Sequence, residues 1–271
     1  MTRSSGNFGL PWLAYAAFVI YGSLVPLDYR PLPLEEALRR FGATPFLTLG
    51  AESRADWIAN GVLYFPLGAL TASALSGWLP RLRIVAMALA WASCAALAVG
   101  VEFAQLHFPP RTVSLNDLMA EGIGAALGVM AAPRLVQWGR RLLHVIQVRP
   151  GQSARLLGRA WLLGLVVLAL FPFDFVLSAA EWAQRLASDN VAWWWVPDAR
   201  GTTLGLLRWA VEAALVVPLG VAWAWGGRGG VQPAATKAML AGLVLGALIE
   251  LAQLLLVSGV AQGSSVLGRG L

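Results

Sequence analysis

Apolar positions in this chain fall into long unbroken runs rather than into the three-to-four-residue stripe of a soluble helix or the alternation of a half-buried strand. Windows of about 19 residues place membrane spans near Leu10–Leu27, Trp57–Trp78, Leu82–Leu106, Leu115–Trp138, Trp161–Leu177, Leu206–Trp225 and Ala238–Val257. The predicted fold class is therefore all-α, a polytopic transmembrane helical bundle. The first run, with bulky Trp12 and Tyr15 and no A-x-A cleavage site, reads as a retained helix rather than a signal peptide.

Composition removes the alternatives. Of 271 residues, 58% are hydrophobic and 13% charged, where a soluble domain has about 25% charged. A single cysteine, Cys94, and two histidines, His107 and His144, offer neither a disulfide framework nor a His-rich metal set. No cofactor is implied.

The net charge of +6 points first to nucleic acid, but the placement of charge along the chain excludes that partner. With the amino terminus in the cytoplasm, Arg3, Arg81, Arg83, Arg134, Arg140, Arg141, Arg149, Arg155, Arg159, Arg228 and Lys237 lie inside with no acid among them, and all 14 acidic residues lie at or beyond the outer face. This is the positive-inside pattern. The acid-free stretch from Arg134 to Arg159 is a topology signal suited to contact with anionic headgroups. The expected location is a bacterial cytoplasmic membrane.

The chain also repeats itself at an offset of 146 to 152 residues. Pro-Leu-Asp28-Tyr returns as Pro-Phe-Asp174-Phe, Asn60 with Pro66-Leu-Gly68 returns as Glu212 with Pro218-Leu-Gly220, and Glu102-Phe-Ala-Gln105 returns as Glu250-Leu-Ala-Gln253. After each Asp comes a short segment with Glu and Arg spaced i, i+4 (Glu35 and Arg39; Glu181 and Arg185), expected to pair on a surface helix. Three regions follow: a first four-helix unit over 1–138, an Arg-rich cytoplasmic linker over 139–159, and a degenerate second unit over 160–271 whose fourth helix is absent, which suggests a longer parent with an eighth span. Four helices return a chain to its starting side, so the halves are expected to be parallel, related by an axis along the membrane normal.

Ionisable groups at membrane depth are costly and tend to face the bundle and find partners. In the first unit they gather toward one surface: Asp28, Asp56, Asn60, Glu102, Gln105, Arg111, Asn116, Asp117 and Glu121. Behind Glu102 the helical stripe is Ala98, Cys94, Ala90 and Ala86, all small, and Asp117 and Glu121 share a stripe with Gly124 and Gly128. Small faces pack closely, so the carboxylates should point inward. Five carboxylates against one local Arg leave charge to be met by protons, water or a ligand; alternatively Glu102, Arg111 and Asp117 neutralise one another and only pin helix ends. In the second unit Arg208 and Glu212 replace Asp56 and Asn60, and Gly259 and Ser265 replace Arg111 and Asp117, so that copy reads as internally neutralised and structural.

At Asp28, Asn60-x5-Pro66-x-Gly68, Glu102-x2-Gln105, Arg111 and Asp117 the first unit resembles the VanZ-like family of integral membrane proteins, and the second unit resembles it as a degraded copy. The family tends to have Asn where this chain has Glu121. The resemblance implies an envelope protein of a family whose founding member is linked to low-level teicoplanin resistance. The candidate ligand-binding residues are Asp28, Asn60, Glu102, Gln105, Arg111, Asp117 and Glu121, with no catalytic residue and no metal ligand assigned. Four functions stay open: binding of an amphiphile headgroup (lipid, lipid-linked glycan or lipoglycopeptide), a membrane enzyme with a carboxylate base and Arg111 on a phosphate, a proton- or cation-coupled transporter, and a structural partner of another membrane protein.

Overall fold

A computed structural model describes residues 8–47, 50–109, 111–148, 150–171, 173–188, 190–192, 194, 202–226 and 231–270. The chain divides into two units, Met1–Gly139 and Arg140–Leu271. Both are helical.

In the first unit α1 (Gly9–Leu24) leads into a short surface helix, α2 (Leu34–Gly42), followed by α3 (Ala51–Trp78), α4 (Arg83–Gln105) and α5 (Leu115–Val148). The core is built from one face of each long helix. Ala16 and Val19 of α1, Tyr64 and Leu67 of α3, Cys94 and Ala98 of α4 and Ala125 of α5 form one buried cluster. The small-residue stripe from Ala86 to Glu102 is buried along its length. Side chains facing away, such as Ile84, Leu127 and Met130, stay exposed although apolar, which suits helices surrounded by lipid rather than water.

Glycine sets the α3–α5 distance. A Cβ on Gly124 would collide with the Gly61 carbonyl, and one on Gly128 with the Phe65 carbonyl. The G-x-x-x-G thus brings α5 against α3 backbone to backbone, the close approach that small residues permit.

The second unit contains α6 (Pro150–Leu170), the short α7 (Ala179–Leu186), β1 (Val191–Ala192), α8 (Thr202–Gly226), α9 (Val231–Leu254), β2 (Ala261–Gln262) and α10 (Gly263–Gly270). β1 and β2 pair in parallel, Val191 with Ala261 and Ala192 with Gln262. The Arg-rich stretch expected as a linker is helical, shared between the end of α5 and the start of α6. Helix α6 ends at Leu170 rather than Leu177, just before Phe173, whose φ of 64° cannot continue a helix.

Individual backbone and side-chain contacts recur between the units at the offsets read in the sequence. Leu27 and Phe173 both have positive φ. Tyr15 Oη donates to the Leu63 carbonyl at 3.0 Å and Trp161 Nε1 to the Leu215 carbonyl at 2.7 Å. Gln105 Nε2 donates to Ser23 O and Gln253 Nε2 to Ala169 O. The Arg30 amide donates to His107 O as the Val176 amide does to Leu255 O. A repeat visible as a few motifs is thus a repeat of the contacts that fix each helix end.

Among the described residues five helices are long and apolar enough to cross a membrane, within Ser53–Trp78, Arg83–Gln105, Leu115–Val148, Thr203–Ala222 and Ala235–Leu254. The stretches Gly9–Leu24 and Leu156–Leu170 are apolar but shorter, below the roughly 20 residues that span a bilayer without tilt or thinning.

The short helices differ from the expected pairing. In α2 it is Glu36, not Glu35, that engages arginine, with Arg39 at 2.5 Å and Arg40 at 2.6 Å. These exposed partners hold the Glu36 carboxyl below its ordinary value of 4.5. In α7 Glu181 serves the helix start: Ser178 Oγ accepts from its amide, and its Oε2 accepts from the Leu177 amide, a variant of the capping box. Arg185 turns inward, where Nη2 donates to the Gln253 carbonyl at 3.2 Å; burial lowers its guanidinium from the ordinary value, opposed by Asp174.

Candidate functional site

The polar cluster of the first unit forms at the end of α4 and the start of α5. Ser114 caps α5: its Oγ accepts from the Asp117 amide at 3.1 Å and donates to Asp117 Oδ2 at 2.5 Å, occupying a helix-start donor that would otherwise be orphaned. Asp117 Oδ1 accepts from Asn60 Nδ2 of α3 at 2.8 Å. One turn deeper come Tyr64 on α3 and Glu121 on α5, and from α4 comes Glu102. The Ser114 backbone amide donates to Glu102. Glu102, Asp117 and Glu121 are close enough to act on one another electrostatically, as Tyr64 is with both glutamates.

Three atoms in this cluster have no hydrogen-bond partner: Tyr64 Oη, Glu102 Oε2 and Glu121 Oε2. Tyr64 is 0% exposed and each glutamate 2%. A buried polar group without a partner costs about 1–3 kcal/mol, more for a charged one; the second unit has such atoms too, at Asp174 Oδ1, Arg185 Nε, Gln253 Oε1 and Ser264 Oγ, but there the glutamate itself is met on both oxygens.

The other residues expected in the site stand around it. Gln105 and Arg111 bind the end of α1, through Ser23 O at 3.0 Å and Gly22 O at 2.9 Å. Arg111 is exposed and its Nη2 donates to the Gly22 carbonyl, while its charge lies close enough to act on Glu102. Asp28 lies outside the cluster, exposed and paired with Arg30 at 3.1 Å. Asn116 ties α5 to the preceding loop through both Leu47 backbone groups. The structure therefore brings Asn60, Glu102, Asp117 and Glu121 together, adds Tyr64 and Ser114, which sequence reasoning missed, and leaves Asp28 apart.

At the matching place in the second unit the glutamate has a cation of its own. Glu250, the counterpart of Glu102, accepts from the Gln262 amide at 2.6 Å, as Glu102 does from Ser114. Its Oε1 binds Arg269 Nη1 at 2.6 Å, and Arg269 Nη2 binds Glu212 at 3.0 Å. Arg269 stands at the position of Glu121, and Glu212 at that of Asn60. Arg269 on α10 thus pairs with both Glu250 and Glu212; the Arg208 side chain, expected to pair with Glu212, lies outside the described residues. The offset of 148 that aligns Glu102 with Glu250 also aligns Glu121 with Arg269.

A cavity of about 230 Å³ opens beside this triad, reaching Leu168, Val216, Gln253, Gly259 and Arg269. Val216 and Gly259 are the counterparts of Tyr64 and Arg111. The second copy has lost the two large polar side chains there.

Among the described residues no group of three or more His, Cys, Asp and Glu is arranged to hold a metal ion.

Long apolar helices in a repeated bundle with polar helix ends define an all-helical integral membrane protein. Residues 12–137 match the model of the VanZ/LLP1 family, and the first unit of this membrane protein is VanZ-like. The match covers the first unit and stops before the second. No curated protein and no solved structure matches the chain.

Proposed function

We propose that the first unit binds the polar headgroup of an amphiphile, whether lipid, lipid-linked glycan or lipoglycopeptide, at the end where α4 meets α5. The observation that carries this reading is the group of unpartnered buried atoms, Tyr64 Oη, Glu102 Oε2 and Glu121 Oε2, which runs inward from the end of α4 and the start of α5. Exposed Arg111 beside them supplies a guanidinium for a phosphate or carboxylate. Asn60, Gln105, Asp117 and Asp28 complete the polar surroundings, Asp28 from the periphery. The charge distribution of the sequence supports a reading with this end outside a bacterial cytoplasmic membrane and the Arg-rich stretch inside, against anionic headgroups.

The test is purification in a mild detergent followed by mass spectrometry of what co-purifies. A defined amphiphile should be retained by the wild type and lost from Glu102→Gln and Arg111→Ala proteins of equal membrane abundance. Equal retention by all three, or no retained amphiphile, overturns the reading; chemical turnover of an added amphiphile would favour an enzyme instead.

A further inference from the structure

The two units place different chemistry on the same frame, and the second shows what the first lacks. Both glutamates, Glu102 and Glu250, receive one backbone amide, from Ser114 and from Gln262. In the second unit the remaining oxygen is met by the Arg269 guanidinium, which also reaches Glu212. In the first unit the residue at that position is Glu121, so the cation is gone and a second buried carboxylate has taken its place. Tyr64, unpartnered and fully buried, faces the same pair, whereas its counterpart Val216 is apolar.

We propose that the Glu102–Glu121 pair is the receptor for a cationic group, a guanidinium or primary ammonium, carried by the headgroup of the bound amphiphile. The inference rests on the reading of this end as a headgroup site and adds the sign and kind of the group that enters. A guanidinium between Glu102 and Glu121 would meet Glu102 as Arg269 meets Glu250, with charge-assisted bonds replacing the unmet oxygens. The Tyr64 hydroxyl can donate to either carboxylate alongside it. Arg111, outside the pair and exposed, is left for an anionic part of the same headgroup. The amphiphile, rather than a free cation, fits because Glu102 and Glu121 lie within about two turns of the ends of helices long and apolar enough to span a membrane.

The experiment uses the full chain in maltoside detergent, with dodecylguanidinium, dodecylammonium, dodecyl sulfate and the soluble methylguanidinium as probes, read by thermal unfolding and by isothermal titration. Dodecylguanidinium and dodecylammonium are expected to raise the unfolding temperature saturably. Both Glu102→Gln and Glu121→Gln should weaken their binding about tenfold or more, while Glu250→Gln leaves it unchanged. Neutral glutamine is cheaper to bury in the membrane than glutamate, so these variants should fold. A response to methylguanidinium equal to that of dodecylguanidinium would assign the site to a soluble cation and overturn the amphiphile part. Binding of dodecyl sulfate that depends on Arg111 but not on Glu102 or Glu121 would sink the cation inference and leave the headgroup reading standing. No saturable binding of any probe, together with no co-purifying amphiphile, would sink both.

Discussion

Glu102 and Glu250 occupy the same place in two copies of one frame, each closing a long helix and each capped by a backbone amide, yet one is electrically finished and the other is not. Around Glu250 the protein supplies its own cation, Arg269, shared with Glu212 at 2.6 and 3.0 Å. Around Glu102 it supplies Glu121 and Tyr64 instead, with one oxygen on each glutamate and the phenol unmet. A buried ion pair contributes little net stability but is expensive to break. The second unit therefore has a reason to be rigid there, and the first has a cost that only something beyond its own side chains removes.

The largest effect expected from disturbing it is in the second unit. Arg269→Ala strands the buried Glu250 and should cost about 3–5 kcal/mol, read as a fall in membrane abundance and in unfolding temperature. Unchanged unfolding would mean that the triad carries no weight. Next in size is the α3–α5 contact: Gly128→Leu forces a side chain into the Phe65 carbonyl and should destabilise by about 1–3 kcal/mol or more. Gly122, with nothing near its virtual Cβ, supplies the control, and a Gly122→Ala protein should unfold at or above the wild-type temperature.

A smaller stability effect separates the two glutamates. Glu250→Gln leaves Arg269 with Glu212 and should cost about 1–3 kcal/mol without touching amphiphile retention. Glu102→Gln should do the reverse, losing retention while unfolding near the wild-type temperature, because it removes a buried charge that has no internal counter-ion. Loss of retention from Glu250→Gln at equal abundance would contradict the division of roles.

Smallest of all is the pH response of α2. Glu36 is held below its ordinary 4.5 by Arg40 and Arg39, so its contribution is present above that ordinary value and is lost as pH falls through the lowered one. Cysteine labelling at Leu38 should report α2 unchanged from neutral pH down to about pH 4.5 and loosening only below it, and Glu36→Gln should abolish that acid dependence. Loosening that begins near neutral pH would require a different group.

Much of this was legible in the sequence because lipid punishes polar groups so severely that the few present announce their direction. The stripe from Ala86 to Glu102 and the glycines at 124 and 128 gave the inward faces, and both are buried as expected. The repeat was legible through Asp28, Glu102 and their counterparts. Tyr64 was not, since an aromatic in an apolar span reads as core until its hydroxyl is seen without a partner. Glu36 could not be told from Glu35 by spacing alone, because both lie within one turn of two arginines and side-chain rotamers decide. Asp28 was grouped with the cluster by depth, yet the turn around Leu27, at φ 65°, carries it to the surface.

The account turns on whether Glu121 and Asn60 are what keep the first site open. Asn60→Glu combined with Glu121→Arg rebuilds in the first unit the Glu–Arg–Glu triad of the second. Side-by-side mass spectrometry and thermal unfolding of this protein and the wild type should show loss of the retained amphiphile with an unfolding temperature equal or higher. Retention at the wild-type level in the rebuilt triad would contradict the claim that the site is defined by its missing cation.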